Sequence, residues 1–232
     1  MKKFLALILS LVVIATALFS LSGCNIVLDD CNHKYDGTTC IHCGVTNPNL
    51  FQYTLGWRDF SCGIASFKNK SDLPSKIVIP KTYYGMEITY INVSAFETCE
   101  NLTTVIIQEN INAIKPRAFA GCTSLQYIVI PDSVTDIGFA VFSGCTSLTE
   151  IVIPNNVTFI SNYTFVSCAN LDSVVIPRSV ASIGEGAFEG CRSLSDIYYT
   201  GSASEWHTID ISNYFNEYLD NATIHFNYVP EK

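Results

Sequence analysis

Charge is scarce in this sequence: only 15% of its 232 residues are Asp, Glu, Lys or Arg, and 21 acidic residues outweigh 13 basic ones for a net charge of −8. Beyond Lys2-Lys3 the basic residues form no cluster. A nucleic-acid partner is therefore excluded, because phosphate binding needs grouped cations to displace counterions. Catalytic signatures are missing as well. There is no Gly-x-Ser-x-Gly, no His-Glu-x-x-His and no phosphate loop, so the sequence gives no reason to expect an enzyme. Long apolar runs are absent except at the N-terminus, where Phe4 to Phe19 follows the two lysines. That run is short for a permanent membrane span and reads as a secretory signal.

What the sequence does contain is periodicity. Phe96, Phe119, Phe142, Phe165 and Phe188 stand 23 residues apart, each followed by a cysteine (Cys99, Cys122, Cys145, Cys168, Cys191) and then a leucine (Leu102, Leu125, Leu148, Leu171, Leu194). A fixed period of this length marks a stack of equivalent coils. Each coil carries a β-branched trio such as Ile128-Val129-Ile130 or Ile151-Val152-Ile153, followed in most coils by proline. Such trios form short strands that pair with copies of themselves, and a proline, unable to donate to the ladder, ends them. Val134, Ile137 and Phe142, with their equivalents one period on, are expected to point inward and build the core by stacking. The ladder cysteines are odd in number and point in parallel directions, which suits small buried hydrophobes better than disulfides.

The pattern Ile-Pro-x-x-Val-x-x-Ile-x-x-x-x-Phe-x-x-Cys-x-x-Leu, complete in residues 130–148 and 153–171, resembles the BspA-like branch of leucine-rich repeats. The resemblance covers roughly residues 51–226. It implies a mainly β solenoid of the α/β type, built of ~23-residue coils with short parallel strands. It also implies surface display, adhesion or protein binding, with no reaction. Leu21-Ser22-Gly23-Cys24 likewise resembles the lipobox of bacterial lipoproteins, in which the signal is cut before a cysteine that then receives lipid. Cys24 would be the lipidated N-terminus, anchoring an exported protein to a bacterial surface. The expected organisation is a signal peptide (1–23), a tether (24–50), an N-terminal hairpin cap (51–76), the repeats (77–199) and a C-terminal cap (200–232).

Two groups of residues are candidates for function. The middle residue of each strand points away from the core, giving an apolar column that includes Val129, Val152, Val175 and Tyr198, beside a varied column of Thr104, Tyr127, Glu150, Ser173 and Asp196. Exposed apolar surface flanked by polar groups suits a protein or glycan ligand on a host or neighbouring cell. β-propensity alone would also explain the valines. Separately, Cys31, His33, Cys40 and Cys43 form Cys-x-His-x6-Cys-x2-Cys, ligand types that close a tetrahedral zinc site. An exported protein could instead use these cysteines for disulfides or redox chemistry.

Overall fold

The computed structural model describes residues 46–55, 62–67 and 73–230. It is a solenoid in which the chain winds through a front strand, a turn, a two-residue back strand and a corner carrying the Phe, Cys and Leu rungs. The front strands are Lys76–Val78, Thr104–Ile106, Tyr127–Val129, Glu150–Val152, Ser173–Ile176, Asp196–Tyr199 and Thr223–His225. Where they pair they do so in parallel and one coil apart, as in Thr104↔Tyr127 and Glu150↔Ser173. After the strands of the central coils the chain reverses by a turn closed from Val134 N–H to Pro131 C=O, and equivalently from Ile111 to Gln108, from Val157 to Pro154 and from Val180 to Pro177. The back strands, among them Ala113–Ile114, Asp136–Ile137, Phe159–Ile160 and Ser182–Ile183, stack in the same way.

The core is one continuous file of repeated side chains. Phe96, Phe119, Phe142, Phe165 and Phe188 are fully buried, and successive rings lie 5.2, 5.9, 5.6 and 5.2 Å apart, close to parallel. At the N-terminal end Phe51 meets Phe96 edge-on at 6.1 Å. This phenylalanine belongs to an antiparallel hairpin, Phe51–Leu55 with Cys62–Phe67. Its second strand runs parallel to Met86–Ile91 and so extends the back sheet past the first coil. Thr46 covers the first front strand: its N–H donates to the Val78 carbonyl and its hydroxyl accepts from the Val78 N–H.

At the opposite end a side chain imitates a missing coil. Along the Phe corner each Phe N–H donates to a carbonyl of the next coil, Phe142 to Thr164 and Phe165 to Ala187. Phe188 has Asn216 in that place, and the Oδ1 of Asn216 accepts its N–H. The same buried amide donates to the Gly184 and Ser212 carbonyls. The Asn216 amide thus satisfies Phe188 without another coil and is itself fully engaged, as an enclosed polar group requires.

The Phe corner bends through two left-handed positions per coil. The residue two after Phe is glycine in three coils (Gly121, Gly144, Gly190, φ near +71°), but it is Thr98 in the first and Ser167 in the fourth, with φ of 59° and 62°. An L-residue there carries a cost of about 1–2 kcal/mol that glycine avoids. Ser167 is exposed, so little is lost with its side chain. Ser167→Gly is expected to stabilise the protein by about 1 kcal/mol, less the entropy glycine adds to the unfolded chain. Urea unfolding midpoints test this; an unchanged or lower midpoint refutes it.

One discontinuity interrupts the regular stack. The front ladder pairs through the strands up to Tyr127–Val129, then resumes as a separate sheet from Glu150–Val152 onward. The back ladder breaks at the same level, between Asp136–Ile137 and Phe159–Ile160. The two coils stay joined at the Phe corner, where Ala140, Phe142 and Gly144 donate to the Asn162, Thr164 and Val166 carbonyls. Asn155 and Asn156 add bonds to Asp132.

Candidate partner-binding face

The front strands place Val129, Val152, Val175 and Tyr198 on the outer face, but a fully exposed apolar stripe does not result. Val129, Val175 and Tyr198 are half-buried, and only Val152 in this column is more than half exposed, at 51%. Side chains repeating at the strand spacing cover one another's flanks. In the neighbouring column Tyr127 and Glu150 are exposed, whereas Thr104, Ser173 and Asp196 are half-buried. The least covered residues therefore lie on the two strands that flank the interruption.

That interruption forms a groove of about 350 Å³. Tyr127, Val129, Glu150 and Val152 line it, with Ser173, Val175 and Tyr198 continuing the wall, while Thr104 and Asp196 stand off it. Ile130 also lines the groove and is half-exposed. The sequence pattern assigns it to the core, as Ile107, Ile153 and Ile176 are; it opens because the strand that would cover it has moved out of ladder contact. Tyr228 reaches the groove from the chain's final segment and packs on Tyr198 at 4.7 Å. Nothing in the repeat pattern signals that contribution.

Asp196 does not line the groove and is engaged. His225 Nε2 lies 2.6 Å from its Oδ1, and the Ser195 hydroxyl donates to its other oxygen. The Ser195 bond first, then the His225 bond, hold this half-buried carboxyl below its ordinary value. His225 also stacks on Tyr198 at 4.7 Å. Serine, aspartate and histidine thus meet, but in the order hydroxyl, carboxylate, imidazole. The hydroxyl meets the carboxylates of Asp196 and Asp172 rather than the imidazole, so this is not the relay of a Ser-His-Asp triad.

The ladder cysteines are buried thiols bonded between coils. Cys122, Cys145, Cys168 and Cys191 Sγ donate to the carbonyls of Phe96, Phe119, Phe142 and Phe165 at 3.1–3.3 Å. The spacing showed their volume but not this partner 26 residues back. Burial pushes the Cys145 and Cys168 thiols well above their ordinary value, and that of Cys191 to about 12. Such groups stay protonated and unreactive at neutral pH. Among the described residues no group of three or more His, Cys, Asp or Glu side chains could hold a metal ion. Cys24, Cys31, His33, Cys40 and Cys43 lie outside the described residues.

A parallel stack of short coils with a shared Phe, Cys and Leu corner is a leucine-rich repeat solenoid. The family model for the BspA type leucine rich repeat region matches six copies over residues 62–223, and the chain belongs to that family. Among solved structures it is similar to a leucine rich repeat protein of T. pallidum, at 32% identity and a TM-score of 0.63 over 66% of this chain and 71% of that one. It also resembles a leucine rich cell surface protein of Faecalibacterium prausnitzii, at 30% identity and a TM-score of 0.62. That match covers 68% of this chain but only 40% of the other. The pneumococcal vaccine antigen PcpA, 19% identical with a TM-score of 0.54, shares the fold. No curated protein matches the sequence. No helix among the described residues is long and apolar enough to cross a membrane.

Proposed function

We propose that this protein is a lipid-anchored bacterial surface protein whose front face binds a protein partner. The observation that carries the reading is the opening of the front face at Tyr127, Val129, Glu150 and Val152, where apolar surface and an exposed carboxylate lie together. Interaction sites commonly combine these features. Export and anchoring rest on Lys2-Lys3, the apolar run and Leu21-Ser22-Gly23-Cys24; the cell surface fits what the Faecalibacterium relative is. The solenoid acts by recognition, with no reaction assigned. The test is cross-linking and capture from intact cells with the full chain and with its Val129→Glu, Val152→Glu, Val175→Glu variant. Partners recovered with the former should be lost with the latter; identical recovery sinks the reading.

A second reading follows from the spacing of Cys31, His33, Cys40 and Cys43, in which this segment binds zinc or senses redox state, carried on the repeats. One zinc per chain, lost in Cys40→Ser, supports the metal form. A Cys40–Cys43 disulfide in the exported protein replaces it with the redox form.

A further inference from the structure

The groove at the ladder interruption has the shape and polarity for one class of side chain. Its walls are apolar: Val129, Ile130 and Val152, with the Tyr127 ring, 49% exposed, at one side. Its one charged lining residue is Glu150, whose side chain makes no hydrogen bond or ion pair with any described residue. Asp196 has its oxygens occupied by Ser195 and His225. From Thr104 to His225 the front strands contain no lysine or arginine, and nearby Arg178 is paired with Glu205 at 2.7 Å. The face therefore offers an unneutralised carboxylate beside an apolar slot and an aromatic ring.

An aliphatic stem ending in a cation satisfies all three features. Lysine and arginine bury apolar stems while keeping the charge at the surface. Arginine adds a planar group that can lie on a tyrosine face while its N–H fork meets a carboxylate. Tyr127 and Glu150 stand one period apart, at equivalent positions of neighbouring coils, so one guanidinium can reach both. Resting on the front-face reading above, we infer that the groove receives an arginine side chain from an extended segment of the protein partner. The stem lies against Val129, Ile130 and Val152, and the guanidinium sits between Tyr127 and Glu150.

The test uses the full chain and fluorescent heptapeptides of alternating valine and threonine with arginine, norleucine or glutamate at the centre. Fluorescence anisotropy should show the arginine peptide binding about tenfold more tightly than the norleucine peptide at low salt, and the glutamate peptide not at all. Raising ionic strength should erode only the arginine advantage. Glu150→Gln should cut that advantage to about twofold or less while leaving the norleucine affinity unchanged, and Val152→Lys should abolish binding of both the arginine and the norleucine peptides. Equal binding of the arginine and norleucine peptides overturns the inference, as does discrimination that survives Glu150→Gln. If no peptide binds but partners captured from cells are still lost with the glutamate variants of Val129, Val152 and Val175, the arginine inference falls and the front-face reading stands.

Discussion

Phe142→Ala is expected to destabilise the protein by about 3–5 kcal/mol, the cost of emptying an aromatic-sized volume from a close-packed core. Its ring is fully buried and lies between Phe119 at 5.9 Å and Phe165 at 5.6 Å. Collapse around the void would have to move two neighbouring coils that are themselves hydrogen-bonded through the Phe corner. Phe188 has one such stacked neighbour, Phe165 at 5.2 Å, and its Ala variant should lose less. Against a typical total of roughly 5–15 kcal/mol, the central substitution removes a large share. Chemical denaturation followed by circular dichroism measures both. A loss below about 1 kcal/mol for Phe142→Ala, or a larger loss at Phe188, would show that the stack contributes little to stability.

Alkaline pH should unfold the protein through its thiols. Burial raises Cys145 and Cys168 well above the ordinary value of 9.0 and Cys191 to about 12. The folded state therefore keeps protons that the unfolded chain releases. Stability from this source is complete below pH 9.0 and falls as pH rises toward the folded values. At about pH 11 a thiol held at about 12, as Cys191 is, favours the unfolded chain by roughly 2–3 kcal/mol, and Cys145 and Cys168 act in the same direction. Removing one isolates its share. Cys191→Ala should reduce the slope of stability against pH by roughly 1 kcal/mol per pH unit between about pH 10 and 11, whatever it does to stability at neutral pH. Parallel slopes for the two proteins would exclude the thiols as the cause.

Much of the architecture can be read from the sequence because the repeat states it five times. The β-branched trios became the front strands, and the Phe and Leu rungs became the core. The back strands are less legible. Asp136–Ile137 and Phe159–Ile160 span two residues each, too few to show a period, and their isoleucines look like any inward position of the coil. The interruption is invisible in principle: the coils on either side of it carry the complete motif at residues 130–148 and 153–171. Its effect on Ile130 depends on how two identical patterns sit together. The candidate face was located as columns of outward residues. Which of them form a groove, and that Tyr228 joins them, depends on that same gap and on the path of the final segment. Asn216 was equally hidden, since one asparagine in a polar tail looks ordinary until its amide is seen in place of a carbonyl.

The interrupted ladder also decides how the solenoid answers a pull along its axis. Where strands pair on both sides of a coil, load is shared across the front and back ladders. Between the coils of Phe142 and Phe165 it passes mainly through the corner bonds to Asn162, Thr164 and Val166, with the Asp132 contacts beside them. Tension along the axis therefore concentrates at that joint. It is the place where the molecule would yield first, and the groove that opens there is the part whose shape would change with load.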